Sequence, residues 1–137
     1  MALQASDGVR VDMANTLVAY FNGGGVSQVV KLFSGALPAN CAAADPSGLL
    51  ATGSLPTNAL DDADEDGVIT MTNTWTATGS AAGTAACFRV YEGGGGCGLQ
   101  GNVTATGGGG VMEIDNTSIA IGQVVVVTAI NITIGGA

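Results

Sequence analysis

The sequence predicts a mainly β protein, an antiparallel β-sandwich of the jelly-roll kind with about eight short strands and one N-terminal amphipathic helix. Three observations predict it. The stretch Leu99–Ile134 holds three apolar segments separated by two turn signals, Gly107–Gly110 and Asp115–Ser118. Its last segment, Val124–Ile134, is β-branched almost throughout. That segment opens as an apolar block, which suits a strand buried on both faces. It ends by alternating Ile130, Ile132 and Ile134 with Asn131 and Thr133, which suits a strand with one wet face. Finally, Gly-, Pro- and Asn/Asp-rich turn signals recur along the whole chain.

No linker divides the 137 residues, so one domain, 1–137, is expected. The helix should run over about residues 7–22, capped by Ser6 or Asp7. Val9, Met13, Leu17 and Phe21 step by four, with Ala14 and Val18 widening the stripe, and Gly23–Gly25 should stop it. Strands are expected over Val26–Ser34, Leu49–Leu55, Val68–Ala77, Ala85–Tyr91, Val103–Thr106, Val111–Ile114 and from Val124 onward. Within Val68–Ala77 threonines alternate at 70, 72, 74 and 76, predicting a hydroxyl-lined outer face. Phe88 and Val90 should point opposite to Cys87 and Arg89.

Charge is sparse and one-sided. There are 11 acidic residues against three bases, Arg10, Lys31 and Arg89, for a net charge of −8. Three scattered bases do not make a phosphate-binding surface, so neither nucleic acid nor anionic membrane is an expected partner. So few surface charges suit a protein partly covered by other subunits, and a homo-oligomer is expected. No apolar run reaches membrane-spanning length, and the first residues lack a basic start and apolar core, so cytoplasmic synthesis is expected. With three cysteines, Cys41, Cys87 and Cys97, a bridge from Cys87 to Cys97 across the intervening glycine turn is one reading. Small buried reduced thiols are the other.

Histidine is absent, which removes Ser–His and Cys–His nucleophilic pairs, and no enzyme is expected. The glycine clusters Gly93–Gly96 and Gly107–Gly110 lack the Gly-Lys-Ser/Thr ending and following helix of a phosphate loop. The sharpest motif is Asp62-Ala63-Asp64-Glu65-Asp66-Gly67, which matches the opening of a calcium loop. Asp62, Asp64 and Asp66 are its candidate ligands. The match then fails: the twelfth position is Asn73, and a strand follows where a helix should. A solvated acidic loop is the competing reading, and no other cofactor is expected. Trp75 and Tyr91 are rings that could stack on a sugar, although a lone strand Trp more often belongs to the core.

Several strings are more distinctive. Gln100–Gly110, Ile114–Gln123, Ser34–Asp45 and Phe88–Tyr91 together resemble a group of small virion proteins of tailed bacteriophages and prophages. The acidic loop has no part in the resemblance. What it implies is a structural role: a capsid decoration or cement protein on the head surface, bridging major capsid subunits. The competing reading of the residues is a neck, tail or fibre-associated β-sandwich binding module, in which Asp62, Asp64, Asp66 and Trp75 form a calcium-assisted carbohydrate site.

Overall fold

The computed structural model describes residues 5–22, 28–91 and 95–134. One helix, α1 (Asp7–Asn22), precedes eleven strands. These are β1 (Val29–Phe33), β2 (Leu49–Ser54), β3 (Val68–Ile69), β4 (Trp75–Gly79), β5 (Gly83–Thr84), β6 (Cys87–Tyr91), β7 (Cys97–Ala105), β8 (Met112–Ile114), β9 (Ser118–Ile119), β10 (Val124–Ile130) and β11 (Ile132–Thr133).

The mainly β class is as expected, but the sandwich is not formed. Seven strands close into one barrel in the order β1-β2-β4-β10-β8-β7-β6, and β6 returns to β1. Each strand buries one set of alternate side chains whether a sheet closes or folds into two layers, so periodicity does not separate the two. Pairing decides. Lys31 is bracketed by Thr52 on one side and Arg89 on the other, which leaves β1 no free edge. Val30, Leu32, Ala51, Ala77, Phe88, Val90, Val125 and Val127 fill the interior.

The expectation of a wholly antiparallel sheet is corrected as well. β7 and β8 run parallel, with Val103 opposite Met112 and Ala105 opposite Ile114. Parallel neighbours ordinarily need a crossover of about a dozen residues. Here residues 106–111 suffice, because Gly107 (φ 86°) and Gly109 (φ 80°) take left-handed backbone that other residues avoid. Thr104 Oγ1 and Asn102 Oδ1 accept the Gly110 and Val111 amides and hold the doubled-back chain against β7.

Two long predicted strands are interrupted. Val68–Ala77 becomes β3 and β4, separated where Asn73 turns at φ 58° and donates from Nδ2 to the Thr57 and Asn58 carbonyls. The C-terminal run breaks at Asn131, so that β11 leaves the barrel and pairs with β3. The β3·β11 pair and α1 cover one barrel end. The β5·β9 pair covers the other, with Ala81, Ala85 and Ile119 packed onto the core. At that end Gly79 is obligatory, since a Cβ there would meet the Ala120 carbonyl.

Helix α1 has the predicted bounds and buries most of the predicted stripe, Ala14, Val18, Phe21 and in part Leu17, but is rotated so that its first members face out. Arg10, Ala14, Val18 and Phe21 are buried, whereas Val9 is 50% exposed and Met13 54%. The rotation follows from polar anchors on the underside. Asn15 Oδ1 accepts the Ala63 amide at 2.8 Å, and Asn22 exchanges two hydrogen bonds with the Leu60 backbone. Small Ala14 allows the close approach. Residues 23–25, the expected stop, lie outside the described residues.

Candidate functional site

The acidic loop lies along the underside of α1. Asp62, Asp64 and Asp66 are exposed. Their carboxylates do not converge on a point. Asp64 Oδ1 accepts the Asp66 and Val68 amides, both at 2.9 Å, and closes the turn around Gly67. Asp61 Oδ1 accepts the Asp62 amide, and the Asp66 carbonyl takes a hydrogen bond from Arg10. Among the described residues no group of three or more His, Cys, Asp or Glu is placed to hold a metal ion. The Asp64 and Asp61 carboxylates thus serve to close the loop.

Neither candidate sugar-stacking ring offers a face. Trp75 is 2% exposed inside the barrel and donates from Nε1 to the Ala59 carbonyl at 2.9 Å. Tyr91 is buried too, beneath another part of the chain. The carbohydrate site drawn on Trp75 is therefore corrected: that ring is core.

The most developed polar cluster is one that spacing did not reveal. Residues 34–48, which join β1 to β2, form a strap across the outer face of β6 and β7. Phe88 and Val90 fill the barrel, while Cys87, Arg89 and Tyr91 point outward and are buried by the strap, so β6 is covered on both faces. Arg89, only 2% exposed, donates to Gln100 Oε1, Asp45 Oδ1 and the Asn40 and Ala43 carbonyls. Tyr91 donates its hydroxyl to the same Asp45 oxygen at 2.6 Å, and Gln100 Nε2 donates to the Pro38 carbonyl at 2.7 Å. The Lys31 ammonium sits 4.8 Å from the Tyr91 ring centre.

Electrostatics follow from this packing. The Tyr91 hydroxyl, and then the Arg89 and Lys31 charges, hold Asp45 below the usual carboxylate range against an opposing effect of burial. Burial first, and then the neighbouring Asp45 carboxylate, push Tyr91 up to about 12. Burial raises the Cys87 thiol, with Arg89 opposing.

The cysteines resolve differently from either sequence reading. Cys41, in the strap, is bonded to Cys97 at the start of β7, and Cys87 is the buried free thiol. A Cys87–Cys97 bridge is not formed because the register sets Cys87 against Asn102 and Cys97 against Tyr91, at opposite ends of β6. One signal for the strap was present: Arg89 is a lone charge amid apolar strand residues, and such a residue needs several acceptors when covered.

Large exposed apolar side chains occupy other places. Val9, Met13 and Tyr20 share the outer side of α1, and Leu37 lies on the strap. Leu49, Ile121 and Val124 lie toward the end of the barrel that β5 and β9 cover, with Ile121 75% exposed. No helix among the described residues is long and apolar enough to cross a membrane. No protein-family model, curated protein or solved structure matches the chain.

Proposed function

We propose that this chain is a structural protein of a tailed-phage virion, a decoration protein that seats on the head and bridges major capsid subunits. The observation that carries the reading is the placement of exposed apolar side chains on opposite parts of a braced barrel. Val9 and Met13 sit on the helix at one end, and Leu49 and Ile121 near the other. A bridging protein needs two contact surfaces and a body that does not deform between them. The barrel supplies the body, and its polar groups are spent on bracing it: Arg89, Asp45, Tyr91 and Gln100 all serve to fix the strap. The resemblance of Gln100–Gly110 and Ile114–Gln123 to phage virion proteins supports the setting.

The energetics suit many copies acting together. Apolar burial contributes roughly 25 cal/mol per Å² before association costs. A few exposed side chains per contact make each contact weak, and repetition over a shell multiplies the effect. Cosedimentation with empty expanded heads is the test. Saturable binding to expanded heads is expected, weakened at least tenfold by Met13→Asp or Ile121→Asp. Absence from the pellet with every head form would remove the proposal.

A further inference from the structure

The outer wall formed by β2, β4 and β10 carries no charged residue of either sign. None of the 11 acidic residues lies on these three strands. Thr52 pairs with Thr78, which pairs with Val124, so one row crosses all three strands. Thr76 and Val126 form the neighbouring row. Thr52, Thr76, Thr78 and Val124 are exposed, Val124 to 57%, and Ile121 projects from the turn just before β10. The two borders of this neutral wall carry opposite charges. On the β1 side stands Lys31, paired with Thr52. On the β8 side stand Glu113, paired with Ala129, and Asp115, whose Oδ1 accepts the Val126 amide.

We propose that this wall is where a second copy of the chain docks face to face, related by a two-fold axis that lies in the interface parallel to the strands. Each copy carries a net charge of −8, so most mutual approaches set carboxylate against carboxylate. An approach through this wall avoids that at its centre. A two-fold axis makes residue i of one copy meet residue j of the other, and j meet i. The positive border of each copy then lies over the negative border of its partner, twice over. Threonine hydroxyls both donate and accept, so the rows can also hydrogen-bond to copies of themselves.

The wall is small. Three strands about 4.8 Å apart, each presenting about five residues at roughly 3.3 Å per residue, give a footprint well below the ~800 Å² per partner of a stable complex. The dimer is therefore weak and concentration-dependent. Lys31, whose ammonium rests over Tyr91, acts as a border charge within the Debye length of about 8 Å rather than as a fixed contact. The inference stands apart from the virion reading, because self-association is measured with no capsid present.

Sedimentation equilibrium of the full chain up to about 1 mM, the weak end of specific association, is the test. A monomer–dimer equilibrium is expected, shifted at least tenfold toward monomer by Val124→Arg with an unchanged circular dichroism spectrum. Lys31→Glu and Asp115→Lys should each weaken it several-fold, and the two together should recover most of the loss. Val9→Asp, on the helix, should leave it unchanged. If Asp115→Lys fails to fold for want of its bond to Val126, Val124→Arg and Lys31→Glu decide the matter. A chain monomeric at every concentration, or a dimer indifferent to Val124→Arg, overturns the proposal.

Discussion

Arg89 determines how the strap lies. Its guanidinium reaches four acceptors, three of them on the strap, in a geometry that a fork satisfies and a point charge does not. Arg89→Lys retains the charge but strands buried carbonyls. We expect a loss of about 2 kcal/mol in urea unfolding, from hydrogen bonds worth roughly 1.5–3 kcal/mol each when charge-assisted, partly recovered by water. The pH response has a definite sign. Tyr91 is raised to about 12 in the folded protein from an ordinary 10, so its contribution is complete below pH 10 and is lost as pH rises toward 12. Asp45 is lowered from 3.8, so its contribution is present above that value and is lost as pH falls through the depressed folded value. Amide exchange across residues 36–47 should thus accelerate above pH 10, and Tyr91→Phe should abolish that alkaline step. The alternation of Cys87–Tyr91 correctly set Arg89 opposite Phe88 and Val90. It could not show that a distant loop covers the outer side, because the acceptors lie more than forty residues earlier in the chain.

At the scale of elements, local signals carried the existence of structure better than its partners. The bounds of α1 were legible because capping and spacing are local. The burial of Ala14, Val18 and Phe21, and of Leu17 in part, was legible too, but the exposure of Val9 and Met13 was not, because Asn15 and Asn22 turn the helix toward backbone groups of residues 60–63. Residues 103–114 read as strand, turn, strand, and they are; that the two strands run parallel depends on a fold-back eased by glycines at positive φ. The break at Asn73 was hidden by regular threonine alternation on both sides of it. Close packing at β2 and β4 gives a sharp expectation. A Cβ at Gly53 would run into the Thr76 carbonyl, which is backbone and cannot swing aside. Gly53→Ala should cost about 3 kcal/mol or more, at the top of the overpacking range, whereas Gly109→Ala, with open space around it, should show only the smaller cost of its positive φ. Urea titrations of the two variants check the ranking. Trp75→Phe removes one buried indole donor while the Ala59 carbonyl keeps the Thr72 amide, for a loss of about 1 kcal/mol.

For the whole molecule, closure was the feature least accessible from sequence. A barrel and a sandwich ask the same alternation of each strand, and the difference lies in β6 meeting β1 through side chains that suit either arrangement. The Cys41–Cys97 bond spans 56 residues, most of the barrel's first five strands. Closing a loop of that length corresponds to about 4 kcal/mol in the chain-entropy account. Cys41→Ser should therefore lower the melting temperature by on the order of 10 °C for a domain of this size, while Cys87→Ala, a buried thiol outside the bond, should cost far less. On the proposed reading, this braced barrel serves as a contact body on a phage head. Difference cryo-electron microscopy of expanded heads with and without the added chain tests it most directly. Barrel-sized density is expected at regular positions over seams between major capsid subunits, with α1 or the Ile121 end against the shell. Density confined to the neck or tail, or none at saturating chain, would contradict it.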